Sequence, residues 1–133
     1  MAEGWARHLK SDVIEPYSAG IEIHGLNHRA VQVMREIGVD ISEYHSQHVS
    51  EFSEMTFDYI ITVCDHAHEH CPIFPGAAQK MHIGFDDPPR LAQNAKTEEE
   101  ALSHFRRVRD EIRTFVETLP ESLTHIDQDG EIK

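Results

Sequence analysis

Two cysteines, Cys64 and Cys71, are the only thiols in the chain, and a short run rich in histidine and acid (Asp65, His66, His68, Glu69, His70) lies between them. Ahead of Cys64 stands Tyr59-Ile60-Ile61-Thr62-Val63, an apolar, β-branched segment that reads as a buried strand. A thiol at the end of such a strand, with a second in the polar loop after it, is placed for redox exchange. Imidazole and thiolate are also zinc ligands. Histidines two apart, however, alternate faces of a strand and fan out by about 200° on a helix. They would not converge on a metal without an unusual loop. Their partial positive charge instead favours a thiolate, opposing Asp65 and Glu69.

Other groups suited to chemistry fall elsewhere. Asp86-Asp87-Pro88-Pro89 would ordinarily be a turn, and Pro88 restricts Asp87 to extended backbone, which helps aim its carboxyl. Ser18 precedes the tight Ala19-Gly20 exit. Arg106, Arg107 and Arg109 cluster on what reads as the solvated face of a helix.

The elements that position these groups alternate. A helix is expected over Met1–Lys10 and a short strand over Val13–Ser18. A second helix spans Asn27–Ile37, with Ala30, Val31, Val33, Met34 and Ile37 at helical spacing and Gly38 as its C-cap. A short helix is expected over Ser50–Met55, the central strand over Phe57–Cys64 and a weaker strand over Lys80–Phe85. Thr97-Glu98-Glu99-Glu100 is a capping box. The helix after it carries Leu102, Phe105, Val108, Ile112, Phe115 and Val116 on one stripe. Leu119–Lys133 reads as polar and fraying. Strands alternating with helices argue an α/β domain with a parallel sheet. Sites in such sheets lie at the carboxyl ends of strands, where Ser18, Cys64 and Asp87 fall.

Composition narrows the function class. The 133 residues form one domain with room for a core, and 39% hydrophobic content excludes disorder. A net charge of -12 argues against nucleic-acid or anionic-membrane partners, and no apolar run is long enough to span a bilayer. No signal peptide follows Met1, so the expected compartment is the cytoplasm and the cysteines are a reactive pair rather than a structural disulfide.

The segments M-A-E-G-W, Y-S-A-G-I-E-x-H-G, D-I-S, V-C-D-H-A-H-E-H-C-P-I-F-P, F-D-D-P-P and F-R-R-V-R-D-E-I resemble the thioredoxin-coupled arsenate reductases, which share the fold of low-molecular-weight protein tyrosine phosphatases. The similarity runs from Met1 to about Thr118. It implies a three-layer α/β domain over residues 1–133, with a polar tail from about 120. It also implies a first central strand and a C-x5-R nucleophile loop before the M-A-E-G-W helix, so that the chain reads as truncated at its N-terminus and inactive as it stands.

The resemblance assigns chemistry residue by residue. A cysteine of the upstream loop would attack arsenate. Cys64 would attack the resulting adduct and release arsenite. Cys71 would then take over the disulfide and present it to thioredoxin. Asp87 matches the general acid. Glu3 and Ser18 match positions that support the loop or a nearby monovalent cation, expected to be potassium, although Gln47 stands where the family tends to carry an acidic residue. No tightly bound cofactor is implied. Two alternatives stand beside this reading. A phosphatase of the same fold would leave the cysteine pair superfluous, and usually has tyrosine after Asp-Pro where this chain has Pro89. A non-enzymatic thiol- or metal-binding module would use the His/Cys cluster.

Overall fold

The computed structural model describes residues 1–20, 27–44, 47–63 and 79–125. Helix α1 covers Ala2–Lys10 and α2 covers His28–Glu36. A 3-10 turn at Val49–Phe52 leads to β1, Tyr59–Thr62. Strand β2 is Gln79–His82, followed by the short α3, Pro88–Ala92, the long α4, Glu98–Glu117, and a second 3-10 turn at Glu121–His125.

The helix boundaries follow from local chemistry. The Asn27 side chain accepts from the amides of Arg29 and Ala30, two donors that the first turn of α2 leaves without partners. At the other end Gly38 takes φ +84, its amide donates to the Arg35 carbonyl, and Val39 donates to Met34. This is a Schellman motif, closed by the apolar pair Met34 and Val39, both buried. The Thr97 hydroxyl accepts from the Glu100 amide at 3.0 Å, as expected of a capping box. The Glu100 carboxylate reaches back one residue further than expected, to the Lys96 amide.

Helix α4 is the spine of the described core, packing on α1, α2 and α3. Its stripe buries Leu102, Phe105, Val108, Ile112 and Val116. Phe115 is half-buried and meets Phe85 edge-on. Trp5 of α1 is 2% exposed, and its indole N–H donates to the Arg109 carbonyl at 3.0 Å. Gly4 lets α1 approach closely, because a Cβ there would lie 2.7 Å from Ile41 Cγ2.

Strands β1 and β2 pair in parallel, Tyr59 with Gln79 through Thr62 with His82. The expected α/β domain with a parallel sheet is therefore present. Met81 is buried on the helical core, while Ile60 and Ile61 are only half-buried and Tyr59 and Val63 are exposed. The strand before Cys64 is thus less enclosed than its composition suggests.

Three expectations are corrected. Val13–Ser18 is not a strand. The amides of Val13 and Ile14 turn back to the Lys10 carbonyl, Pro16 has no N–H, and its carbonyl accepts from Arg7. Among the described residues the first ladder contact is a parallel bridge between Gly20 and His48. The chain does not fray at Leu119, because Leu119 and Leu123 are both 6% exposed and complete the core, while the expected polar tail over 126–133 lies outside the described residues. Arg109 is not on a solvated face. It is 8% exposed and donates at 2.9 Å to the Val33 carbonyl, near the end of α2 where Ile37 has turned its own amide to Met34.

Arg109 also meets Glu36 at 3.1 Å, and Arg106 binds the same carboxylate. That carboxyl is held below its ordinary range, first by the hydrogen bond from Arg106, against partial desolvation and with help from Arg109. Arg109→Ala would strip a buried carbonyl of its donor and remove the packed guanidinium. The expected loss is about 2–4 kcal/mol of folding stability, read from urea denaturation. A loss no larger than that of an exposed arginine would contradict this account.

Candidate active site

The site is built on the carboxyl ends of the two strands. Beyond their paired residues the ladder continues, with Ile83 donating to Thr62 and Phe85 donating to Val63 at 2.9 and 3.1 Å. Parallel pairing thereby brings the exit of β1, immediately before Cys64, beside the exit of β2, immediately before Asp86 and Asp87. Across this end the Thr62 hydroxyl and His82 Nδ1 lie 2.8 Å apart. Cys64 and Cys71, with His66, His68 and His70, lie outside the described residues. Among the described residues no cluster of His, Cys, Asp or Glu is arranged to hold a metal.

Asp87 is the N-cap of α3, with φ -91 and ψ 103. That extended backbone is what Pro88 imposes. Pro88 opens the helix, where a missing N–H costs nothing, and is itself buried. The Asp87 carbonyl accepts from Leu91, but its carboxylate caps no amide of the helix, and the residue is exposed. Its neighbour Asp86 pairs with Arg107 at 3.0 Å. Of the two adjacent carboxylates, Asp86 is engaged by a cation and Asp87 is left to face solvent.

Glu3 and Ser18 are brought together. Ser18 donates to Glu3 Oε1 at 2.6 Å, and Arg7 donates to Oε2 at 3.0 Å. Arg7 also binds the Pro16 carbonyl at 2.8 Å. The hydrogen bond to Glu3 raises the Arg7 pKa above its ordinary value, so the guanidinium stays charged. A monovalent cation takes oxygen donors with spare lone pairs and net negative charge. Each carboxylate oxygen receives one hydrogen bond and keeps a second lone pair, and the Arg7 guanidinium offsets the charge. Gln47 adds no charge, and its carbonyl accepts from the Gly20 amide. Glu3 and Ser18 thus sit together beside Arg7, and no chemical step is assigned to a bound cation.

Sequence reading missed Arg7, Arg107 and the Thr62–His82 pair. Arg7 had a local signal, its position one helical turn after Glu3. The pairing of Arg107 with Asp86 and of His82 with Thr62 joins separate elements and leaves no mark in the local sequence.

A profile of the family described as low molecular weight phosphotyrosine protein phosphatase matches residues 1–129. The chain belongs to this family. Within it, the chain is 46% identical over 122 residues to a protein named arsenate reductase from Bacillus subtilis (strain 168), covering 89% of this chain and 86% of that protein. It is likewise 46% identical over 122 residues to an arsenate reductase of Halalkalibacterium halodurans, with the same coverage. A solved arsenate reductase in its oxidized state superposes with a TM-score of 0.69 at 27% identity, over 89% of this chain and 83% of that one. One in its reduced state gives 0.65 at 25% identity, over 92% and 86%. The family suggested by the sequence motifs thus agrees with matches that cover about nine-tenths of this chain.

Proposed function

We propose that this protein reduces arsenate to arsenite through a cysteine relay that thioredoxin, a protein dithiol, resets. The observation that carries the reading is the 46% identity over 122 residues to proteins named arsenate reductase. The carboxylate of Asp87, exposed at the carboxyl end of the sheet, supports it.

The relay's first nucleophile is not among residues 1–133, whose two thiols are Cys64 and Cys71. The resemblance assigns it to a C-x5-R loop upstream of Met1. Its thiolate attacks arsenic, and Asp87 protonates the departing oxygen, which leaves as water. The Cys64 thiolate then attacks the sulfur of the adduct. A disulfide forms, the arsenic–sulfur bond breaks, and its electron pair stays on arsenic, which leaves as arsenite. Two electrons have passed from two thiols to arsenic. The Cys71 thiolate next displaces the first cysteine from Cys64, and the dithiol reductant opens the Cys64–Cys71 disulfide. If the intervening residues were helical, the two Cα atoms would stand about 10 Å apart. A disulfide needs less than about 7 Å, so closing this one requires a non-helical loop. A reductant of this type operates in the cytoplasm, where thiols are kept reduced. No helix among the described residues is long and apolar enough to cross a membrane.

Phosphotyrosine hydrolysis is the rival that the family name suggests, and it consumes no thiol. The discriminating experiment is a single turnover without reductant, on a chain that includes the upstream loop. One equivalent of arsenite per chain, with Cys64 and Cys71 joined in peptide mapping, is the expected result. Free thiols throughout, together with phenyl phosphate hydrolysis, would decide for the phosphatase.

A further inference from the structure

We propose that Arg107 is a positioning residue for Asp87, acting through the neighbouring carboxylate of Asp86. The proposal rests on the reading of Asp87 as the general acid.

The turn from β2 into α3 is fastened on both sides of Asp87. Before it, the Phe85 ring meets Phe115 edge-on, with centroids 6.2 Å apart. After it, Pro88 is buried, and Leu91 donates to the Asp87 carbonyl at 3.1 Å. A further tie is Asp86 Oδ2 to Arg107 Nη1, at 3.0 Å. Arg107 is itself steadied one helical turn along α4 by Glu111, at 2.9 Å from the same nitrogen. Phe115 and Arg107 both belong to α4, so a single rigid helix holds Phe85 and Asp86 together.

Two consequences follow for Asp87. Its backbone is confined by Pro88 and its flanks by α4, so its carboxylate projects from a turn with little freedom of its own. The Asp86 charge, one residue away, is met by a guanidinium instead of being left to repel the ionised form of Asp87. Without Arg107 the Asp86 side chain would be free to swing, and two carboxylates would compete for the same position beside the substrate.

The ion pair is partly exposed, at 43% for Arg107 and 63% for Asp86. Its effect is therefore modest, about two- to fivefold, as for surface pairs generally. The test measures arsenate turnover in a chain carrying the upstream loop. Arg107→Gln should lower kcat by about two- to fivefold, leave KM nearly unchanged, and be largely rescued by Arg107→Lys. In an Asp87→Asn background the same change should cost nothing further, because Arg107 acts only through Asp87. Amide exchange at Leu91 supplies a readout independent of activity and should speed up in Arg107→Gln by a similar factor.

An unchanged kcat, or an equal loss in the Asp87→Asn background, would overturn the proposal. So would unchanged exchange at Leu91. Full turnover by Asp87→Asn alone would instead overturn the assignment of the acid, and Leu91 exchange would still report whether Arg107 holds the turn.

Discussion

Residues 1–133 assayed alone will not reduce arsenate, and the same residues preceded by a strand and a C-x5-R loop will. The proposed relay requires a thiol that attacks arsenic before Cys64 can attack the adduct, and these residues hold only Cys64 and Cys71. They also lack the loop whose amides and arginine would bind the oxyanion. The physical cost compounds the chemical one. Among the described residues the strand that pairs with β1 is β2. Val13–Ser18 runs without strand pairing, and Val13, Tyr17, Tyr59 and Val63 are exposed. The short form should therefore be aggregation-prone as well as inactive. Thioredoxin-coupled arsenate consumption by the two forms checks the first expectation, and light scattering the second. Robust turnover by residues 1–133 would refute the relay and the motif alignment behind it.

The second large effect is expected at Asp87. In a chain with a working loop, Asp87→Asn should slow turnover by about 10²-fold or more, the usual worth of a positioned general acid. Folding should barely change, since the carboxylate caps no helix amide and the residue is exposed. Extended backbone suits asparagine as well as aspartate, so Pro88 keeps the turn in place. Asp86→Asn makes the necessary comparison. It breaks the tie to Arg107 but removes no proton donor, and its loss should stay within a few fold. A large loss in Asp86→Asn with full activity in Asp87→Asn would mean that the roles of the two carboxylates are reversed.

The contrast between these neighbours bears on what could be read without coordinates. The backbone of Asp87 was legible because its cause is the next residue, Pro88. The pairing of Asp86 was not, because the cation that engages it sits on α4, far along the chain. The same holds for Arg109. Its place among Arg106, Arg107 and Arg109 suggests a solvated face, yet the Val33 carbonyl and Glu36 draw it into the packed side of α4.

What the sequence determined by itself is whatever arises from contacts a few residues long. Asn27 and Gly38 end α2, Thr97 and Glu100 start α4, the apolar period of α4 names its buried face, and Pro88 sets Asp87. The motif segments carried the family, because their order and spacing are properties of the chain alone. Tertiary structure decided the rest. A strand exists only where a neighbour accepts its hydrogen bonds, so Val13–Ser18, which finds none among the described residues, stays irregular despite its composition. Glu3, Ser18 and Arg7 become one charge-balanced group only when the chain after α1 folds back across it. An ion pair or a ladder needs both partners in place, and distance along the chain does not say which partners will meet.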